Sequence, residues 1–176
     1  FVDRVAAAGA SRFAVHARKA WLEGLDPKQN RTVPPLQHDR VMALKQRRPE
    51  LIIEINGGLD SPDDCLKVLK TCDGAMVGRA AYEHPLRWSG IDTQIFGETP
   101  RIIKASDVVR GMIPHASAHL SRGGRLWDLC RNLMQLVEGV PGARHWRRNL
   151  GEKAQKRNAD LNVLEEAGRQ LREAGL

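Results

Sequence analysis

The sequence predicts two kinds of architecture in one chain: an α/β region over residues 1–100 and an all-helical region over residues 101–176. Three observations predict this. Short apolar runs alternate with helix-period segments through the first hundred residues. Two of those runs, LIIEINGG at 51–58 and GAMVG at 74–78, stop on glycine. From Ser106 onward, apolar residues recur only at three- and four-residue spacing, the signature of helices.

Taken in order, Phe1 to Ala8 reads as a helix that Gly9 ends, and RFAVHA at 12–17 as a strand. A long polar, proline-bearing segment follows. Residues 39–48 carry Val41, Leu44 and Lys45 at helical spacing. LIIEI is the second strand and NGGLDS its exit turn. A helix then runs from Pro62 to Lys70, with Asp60 and Ser61 where an N-cap belongs and Pro62 in the first turn. GAMVG is the third strand. An α-β-α-β-α-β order with near-continuous apolar strands predicts a parallel sheet buried on both faces. Residues 83–105 read as a linker.

The helical region begins with Val108, Val109, Met112, Ile113, Ala116 and Leu120, with Ser106 as its cap and Gly123 as its stop. Leu126 to Val137 form a second helix that Gly139 stops. Val140-Pro141-Gly142 turns the chain into a third helix, basic from Arg144, and a fourth runs from Asp160 to Ala174. Four helices joined by short turns predict a small antiparallel bundle.

Composition narrows the class. The chain is 41% hydrophobic and 28% charged, as in a globular rather than a disordered protein. It contains no run of about 18 apolar residues that could span a membrane and no signal-peptide pattern. Starting at Phe1 inside a helix, it reads as a piece of a longer protein that continues upstream. Cys65, Cys72 and Cys130 are odd in number and irregular in spacing, so they suggest neither a disulfide framework nor a zinc site, but reduced thiols of a cytoplasmic protein. The net charge of +7 is unevenly placed: residues 1–100 contribute +1 and residues 101–176 contribute +6. A basic second region favours a polyanionic partner; the alternative is a solvated, arginine-rich helical surface.

The glycine turns are the first functional signal. At the C-terminal ends of adjacent parallel strands, glycine backbone and a following helix start form a ready anion site, and in (β/α)8 barrels a phosphate is often held after strands 7 and 8. Asn56-Gly57-Gly58 and Gly78-Arg79 therefore read as a phosphate grip, with glycine permitting close approach and Arg79 adding a charged donor. One such turn alone would be an ordinary βα connection; two at this separation point to phosphate.

Four motifs in order carry a resemblance to a family: FAVHARKAWLEGLDPKQNRTVPPL, EINGGL, DGAMVGRAAYEHP and PGARHWRRNL. Together they closely resemble the C-terminal half of the tRNA-dihydrouridine synthases of the A-type branch, over nearly the whole chain. That resemblance implies about three β/α units from the C-terminal part of an FMN-binding (β/α)8 TIM barrel, followed by a small helical domain that binds tRNA. It implies a flavoenzyme that takes reducing equivalents from NADPH and converts uridine to 5,6-dihydrouridine in the tRNA D-loop, at family position 20/20a. It matches Asn56, Gly57, Gly58, Gly78 and Arg79 to the family's FMN phosphate contacts and His16 to a flavin-contacting histidine. Lys28 and Arg31 match positions that touch tRNA, and Arg144 and Arg147 match a second such pair. The complete protein is expected to be a cytoplasmic monomer with no membrane or metal partner.

The charge pattern agrees with the RNA assignment. Arg144, Arg147, Arg148, Lys153, Lys156 and Arg157 face only Glu152 as an opposing charge, and on a helix Arg144, Arg147 and Arg148 share one face. Such a face neutralises phosphates without reading sequence. Trp146 reads as core, with base stacking as the alternative.

The family's proton-donor cysteine and a flavin-contacting lysine belong to the first half of the barrel, and no residue here is assigned either role. The isolated chain is expected to expose a strand edge and an apolar face, and to show no turnover. His115 and His119, at i and i+4, lack a third ligand and are set aside as a metal site. Glu54 is read as a hydrogen-bonded structural carboxylate. Two other readings stay open at this point: a different phosphate-binding barrel enzyme, such as a sugar-phosphate isomerase or lyase, and a non-catalytic RNA-binding module.

Overall fold

The structure, a computed structural model, describes residues 1–21 and 23–176. The chain divides into two compact units, Phe1–Ala81 and Tyr82–Leu176. The first is mixed α/β. Its strands β1 (Arg12–His16), β2 (Ile52–Asn56) and β3 (Gly74–Met76) form a parallel sheet in the order β1-β2-β3. Helix α1 (Val2–Ala7) precedes β1, α2 (His38–Arg47) connects β1 to β2, and α3 (Pro62–Val68) connects β2 to β3. Parallel neighbours need such crossovers, because a tight hairpin can join only antiparallel strands.

The sheet is held from one side. Ile53 and Ile55 of β2 are wholly buried, together with Val41 of α2 and Cys65 and Val68 of α3. Burying each isoleucine contributes about 1.5–3 kcal/mol. Burial on both faces, which the near-continuous apolar strands predict, is not complete in this chain: Ile52 is 44% and Met76 51% exposed, as expected of a sheet whose second apolar face is left open. Alternate residues point to opposite faces, and the helices pack against the Ile53–Ile55 face. The other face carries Ala14, His16, Ile52, Glu54 and Asn56. Glu54 there pairs with Arg12 of β1, in agreement with a structural carboxylate. At the opposite ends of the strands, the Asp73 carboxylate accepts the Ile53 N–H at 2.8 Å and the Lys45 ammonium at 2.8 Å, tying α2, β2 and β3 together.

Local signals set the boundaries. Ser61 caps α3, its hydroxyl accepting the Asp64 N–H at 3.2 Å, and Pro62 opens the helix. The helix ends at Val68 rather than Lys70, and β3 at Met76 rather than Gly78. The polar segment after β1 is folded back on itself. The Gln37 N–H donates to the Ala17 carbonyl at 2.6 Å and Lys19 to Pro35 at 3.1 Å. Asn30 exchanges two hydrogen bonds with the Trp21 backbone. Leu22, within the first quoted motif, lies outside the described residues.

The second unit is helical, with no strand among the described residues. The division expected near residue 100 falls instead between Ala81 and Tyr82, within α4 (Arg79–Glu83). The supposed linker is structured: it holds a 3-10 turn at Pro85–Trp88 and α5 (Ile91–Phe96), and Leu86 packs against the helical core. That packing draws these residues into the second unit.

The four expected helices appear as α6 (Ala105–Ser121), α7 (Leu126–Cys130), α8 (Ala143–Ala154) and α9 (Leu161–Glu173). Val109 of α6, Leu126 of α7, Trp146 and Leu150 of α8, and Leu164 of α9 are buried in one core. α6 continues through Pro114, as its apolar spacing predicts. Two details differ from expectation. Ser106 lies inside α6, buried, while Asp107 reaches back to accept the Lys104 N–H at 3.3 Å and does the capping. α7 gives way at Cys130 to a 3-10 turn, Arg131–Leu133. There the Leu133 carbonyl accepts both the Leu136 N–H at 3.0 Å and the indole N–H of Trp146 at 3.1 Å. The indole thus occupies an acceptor that a continuing helix would have used, which fixes Trp146 in the core rather than on the surface.

Candidate functional site

Strand register builds the site. His16 is the partner of Asn56 and Asn56 of Met76, so the three strands end level. The turns at Gly57-Gly58 and Val77-Gly78 therefore leave the same sheet edge side by side, with His16 in the row beneath them. The structure brings together five of the six residues matched to the cofactor directly at this edge, and Arg79 follows as the first residue of α4.

The row is hydrogen-bonded across its width. Asn56 Nδ2 donates to the Met76 carbonyl at 2.6 Å, and Asn56 Oδ1 lies 2.8 Å from His16 Nδ1. Gly57 (φ +105°) and Gly58 (φ +67°) adopt left-handed backbone, which favours glycine. Space reinforces the choice. A Cβ on Gly57 would stand 2.8 Å from His16 Cε1, and one on Gly58 would strike the Leu36 side chain. Gly78 differs: a Cβ there would meet nothing within 4 Å, so this turn opens onto free space.

Arg79 is exposed, and its Nη2 donates to the Arg31 carbonyl at 3.1 Å. This bond ties the turn after β3 to the 3-10 turn Gln29–Arg31, which carries one of the matched RNA contacts and follows the other, Lys28. That turn is pinned by Asp26, whose carboxylate accepts the N–H groups of Lys28 at 2.7 Å and Gln29 at 2.8 Å. The Lys28 and Arg31 side chains are exposed and form no ion pair among the described residues.

Sequence reasoning missed three supporting residues. His38 at the start of α2 donates from Nε2 to the Gly57 carbonyl, 2.7 Å away, and so sets the turn from below. Leu36 fills the space under Gly58. Arg18 Nη1 donates to the carbonyls of Thr32 and Pro34, closing the base of the loop that carries Lys28 and Arg31. None of the three stands in a periodic pattern, and only their place after the first strand could have drawn notice.

In the second unit, α8 carries Arg144 and Arg148 exposed and Arg147 partly so, with Trp146 and Leu150 turned into the core. Arg144, Arg147, Arg148, Lys153, Lys156 and Arg157 form no ion pair among the described residues, so their charges are uncompensated. His119 Nε2 lies 3.1 Å from Asp128 Oδ2. No group of three metal-ligating side chains occurs among the described residues, and no described helix is long and apolar enough to cross a membrane. The three cysteines are free and buried. Burial raises all three thiol pKa values, that of Cys130 to about 11.

Glycine turns, an imidazole and a guanidinium collect at the C-terminal ends of parallel strands, the edge at which α/β proteins of this class commonly hold ligands. Comparison with known sequences narrows the class. Residues 1–172 match the family described as Dihydrouridine synthase (Dus), and the chain belongs to that family. It is 45% identical over 164 residues to the tRNA-dihydrouridine(20/20a) synthase of Shewanella oneidensis, covering 93% of this chain and 49% of the relative. It is 45% identical over 168 residues to the protein of the same name from Escherichia coli strain K12, covering 95% and 49%. With the Synechocystis protein of that name the identity is 42% over 167 residues, covering 95% and 50%. The chain thus spans about half the length of the curated relatives it matches.

Proposed function

We propose that the protein containing this chain reduces uridine to 5,6-dihydrouridine in the D-loop of tRNA, at position 20/20a, with FMN as the bound flavin and NADPH as reductant. The observation that carries this reading is the level row His16–Asn56–Met76 with two glycine turns and Arg79 above it. In this reading the three strands are consecutive members of a (β/α)8 barrel, and the exposed face of Ile52, Glu54 and Asn56 is part of the barrel interior.

The residues fit a flavin phosphate. Gly78 faces open space, and Arg79 spends one donor on the Arg31 carbonyl. Its remaining N–H groups suit an anion in bidentate geometry. The bound flavin supplies hydride transfer. Gly57 and Gly58 bring backbone close to the anionic tail, Arg79 neutralises it, and His16 contacts the flavin from the strand end. Lys28 and Arg31 hold the tRNA backbone near that edge, while Arg144 and Arg147 on α8 give a second set of phosphate contacts in the helical unit. The acid that completes the reduction is not assigned to Cys65, Cys72 or Cys130, which are 2%, 5% and 0% exposed. The protein acts as a cytoplasmic monomer in this reading.

The test uses the full-length protein. It is expected to purify yellow, to oxidise NADPH in the presence of unmodified tRNA, and to leave dihydrouridine in the product, while residues 1–176 alone show no turnover. A colourless protein without NADPH oxidation, or full activity from residues 1–176 alone, contradicts the reading.

A further inference from the structure

We propose that Asn56 acts as a positioning residue whose side chain sets the tautomer of His16, so that neutral His16 carries its proton on Nδ1 and offers Nε2 as an acceptor to an N–H or O–H group of the ligand. This goes beyond the reading above, and rests on it only for the identity of the ligand as a flavin.

The tautomer follows from which atoms can donate. The Met76 carbonyl can only accept, and it lies 2.6 Å from the Asn56 amide. The NH2 end of that amide must therefore face Met76, because the reversed amide would oppose two oxygens. Oδ1 is then turned toward His16, where it too can only accept. The atom 2.8 Å from it is His16 Nδ1, which must carry the hydrogen. In the neutral ring this leaves the lone pair on Nε2.

A second contact holds the ring in place. The His16 imidazole lies against Gly57, where a Cβ would stand 2.8 Å from Cε1 and 2.9 Å from Nδ1. Gly57 is therefore needed for the imidazole as well as for its own left-handed backbone. The Asn-Gly pair of the NGG turn is built around the histidine of the neighbouring strand. His38 provides an internal contrast, since its Nε2 faces the Gly57 carbonyl and must donate. Two histidines that flank one glycine are thus held in opposite tautomers.

The consequence is a division of labour. The Asn56 side chain has an acceptor committed to His16 and a donor to Met76, so it does not carry the recognition of an anion. Arg79 and the open turn at Gly78 take the phosphate, and His16 takes a neutral donor on the flavin.

The test has two arms on the full-length protein. In the first, ring nitrogens are read by long-range 1H–15N NMR of histidine-labelled protein without flavin, with His16 assigned by the loss of its signals in His16→Gln. Wild type is expected to show protonated Nδ1 and unprotonated Nε2 at His16, and the reverse at His38. In Asn56→Ala the His16 pattern is expected to move toward a mixture of tautomers while His38 stays unchanged. A wild-type His16 protonated at Nε2 overturns the proposal, as does an unchanged His16 spectrum in Asn56→Ala. If Asn56→Ala does not fold, the wild-type spectrum alone decides.

In the second arm, FMN and riboflavin affinities are measured by flavin fluorescence. Asn56→Ala is expected to weaken both by the same factor, about tenfold, the effect of one uncharged hydrogen bond. Loss of FMN-over-riboflavin discrimination in this variant would place the side chain on the phosphate and overturn the proposal. If wild type binds neither flavin, the functional reading fails while the NMR arm still judges the tautomer.

Discussion

At the scale of single residues, the most informative side chains are those whose partners leave no choice. Trp146 is one. Its indole N–H donates to the Leu133 carbonyl at 3.1 Å inside the helical core. Trp146→Phe keeps most of the apolar volume but leaves that carbonyl with one partner fewer. Because the Leu136 N–H still satisfies the carbonyl, a loss of about 0.5–1.5 kcal/mol is expected for the hydrogen bond, read from the denaturation midpoint of the protein. Cys130 is another. It is wholly buried with its thiol pKa raised to about 11, so it stays protonated at neutral pH. None of Cys65, Cys72 and Cys130 should react with a thiol-specific reagent at pH 8 until the protein unfolds. Rapid modification of Cys130 in native protein would contradict the packing around it. The sequence made the chemistry of the glycines legible, because few residue types tolerate left-handed backbone. It did not make His38 or Leu36 legible, because a hydrogen bond to a carbonyl and a contact beneath a glycine leave no periodic trace.

At the scale of elements, β2 and its exit turn organise the first unit. Gly57→Ala would combine a left-handed φ of +105° with a clash against the His16 ring. A cost of about 1–2 kcal/mol is expected from the backbone alone, measured as a fall in denaturation midpoint, together with loss of flavin. At the other end of the strand, Lys45 and the Ile53 N–H hold the Asp73 carboxylate below its usual pKa. A lowered folded-state pKa means that the unfolded chain binds the proton more readily. The pair therefore stabilises the fold above about pH 4 and loses its effect as acid protonates Asp73 in the folded protein. Thermal melts of Asp73→Asn should show a shallower acid limb below about pH 4 than wild type, and equal slopes would remove the linkage. Element type was readable for all three strands and for α6, α8 and α9, whose apolar spacing runs without interruption. The end of α7 was not, because Leu133, Leu136 and Val137 keep helical spacing beyond Cys130, where the chain tightens into a 3-10 turn. The segment between α4 and α6 was misjudged for a related reason: Gly and Pro mark turns, but Leu86 still reaches the core.

At the scale of the whole molecule, each unit has its own core, and residues 82–176 should fold alone with a cooperative thermal transition. Within the proposed function, that unit should also bind tRNA weakly and with steep salt dependence, through α8. Arg144→Ala with Arg147→Ala should reduce the slope of log affinity against log salt by about one for each phosphate these arginines neutralise. An unchanged slope would return both arginines to a merely solvated role. The α/β-then-helical order and the excess charge of the second half were both legible, since periodicity and charge are written along the chain. The place where the units divide was not, because the contacts that join residues after Ala81 to the helical unit, Leu86 with its core and His84 with Glu138, leave no pattern along the chain.

The central claim is that the edge formed by Gly57, Gly58, Gly78 and Arg79 grips the phosphate of a flavin. The most direct measurement is the ratio of FMN to riboflavin affinity in the full-length protein, compared between wild type and Arg79→Ala. Wild type should prefer FMN by more than about tenfold, since a hydrogen bond to a charged group contributes about 1.5–3 kcal/mol, and Arg79→Ala should collapse that preference while riboflavin binding is retained. An FMN-to-riboflavin ratio that is the same in both proteins would contradict the account.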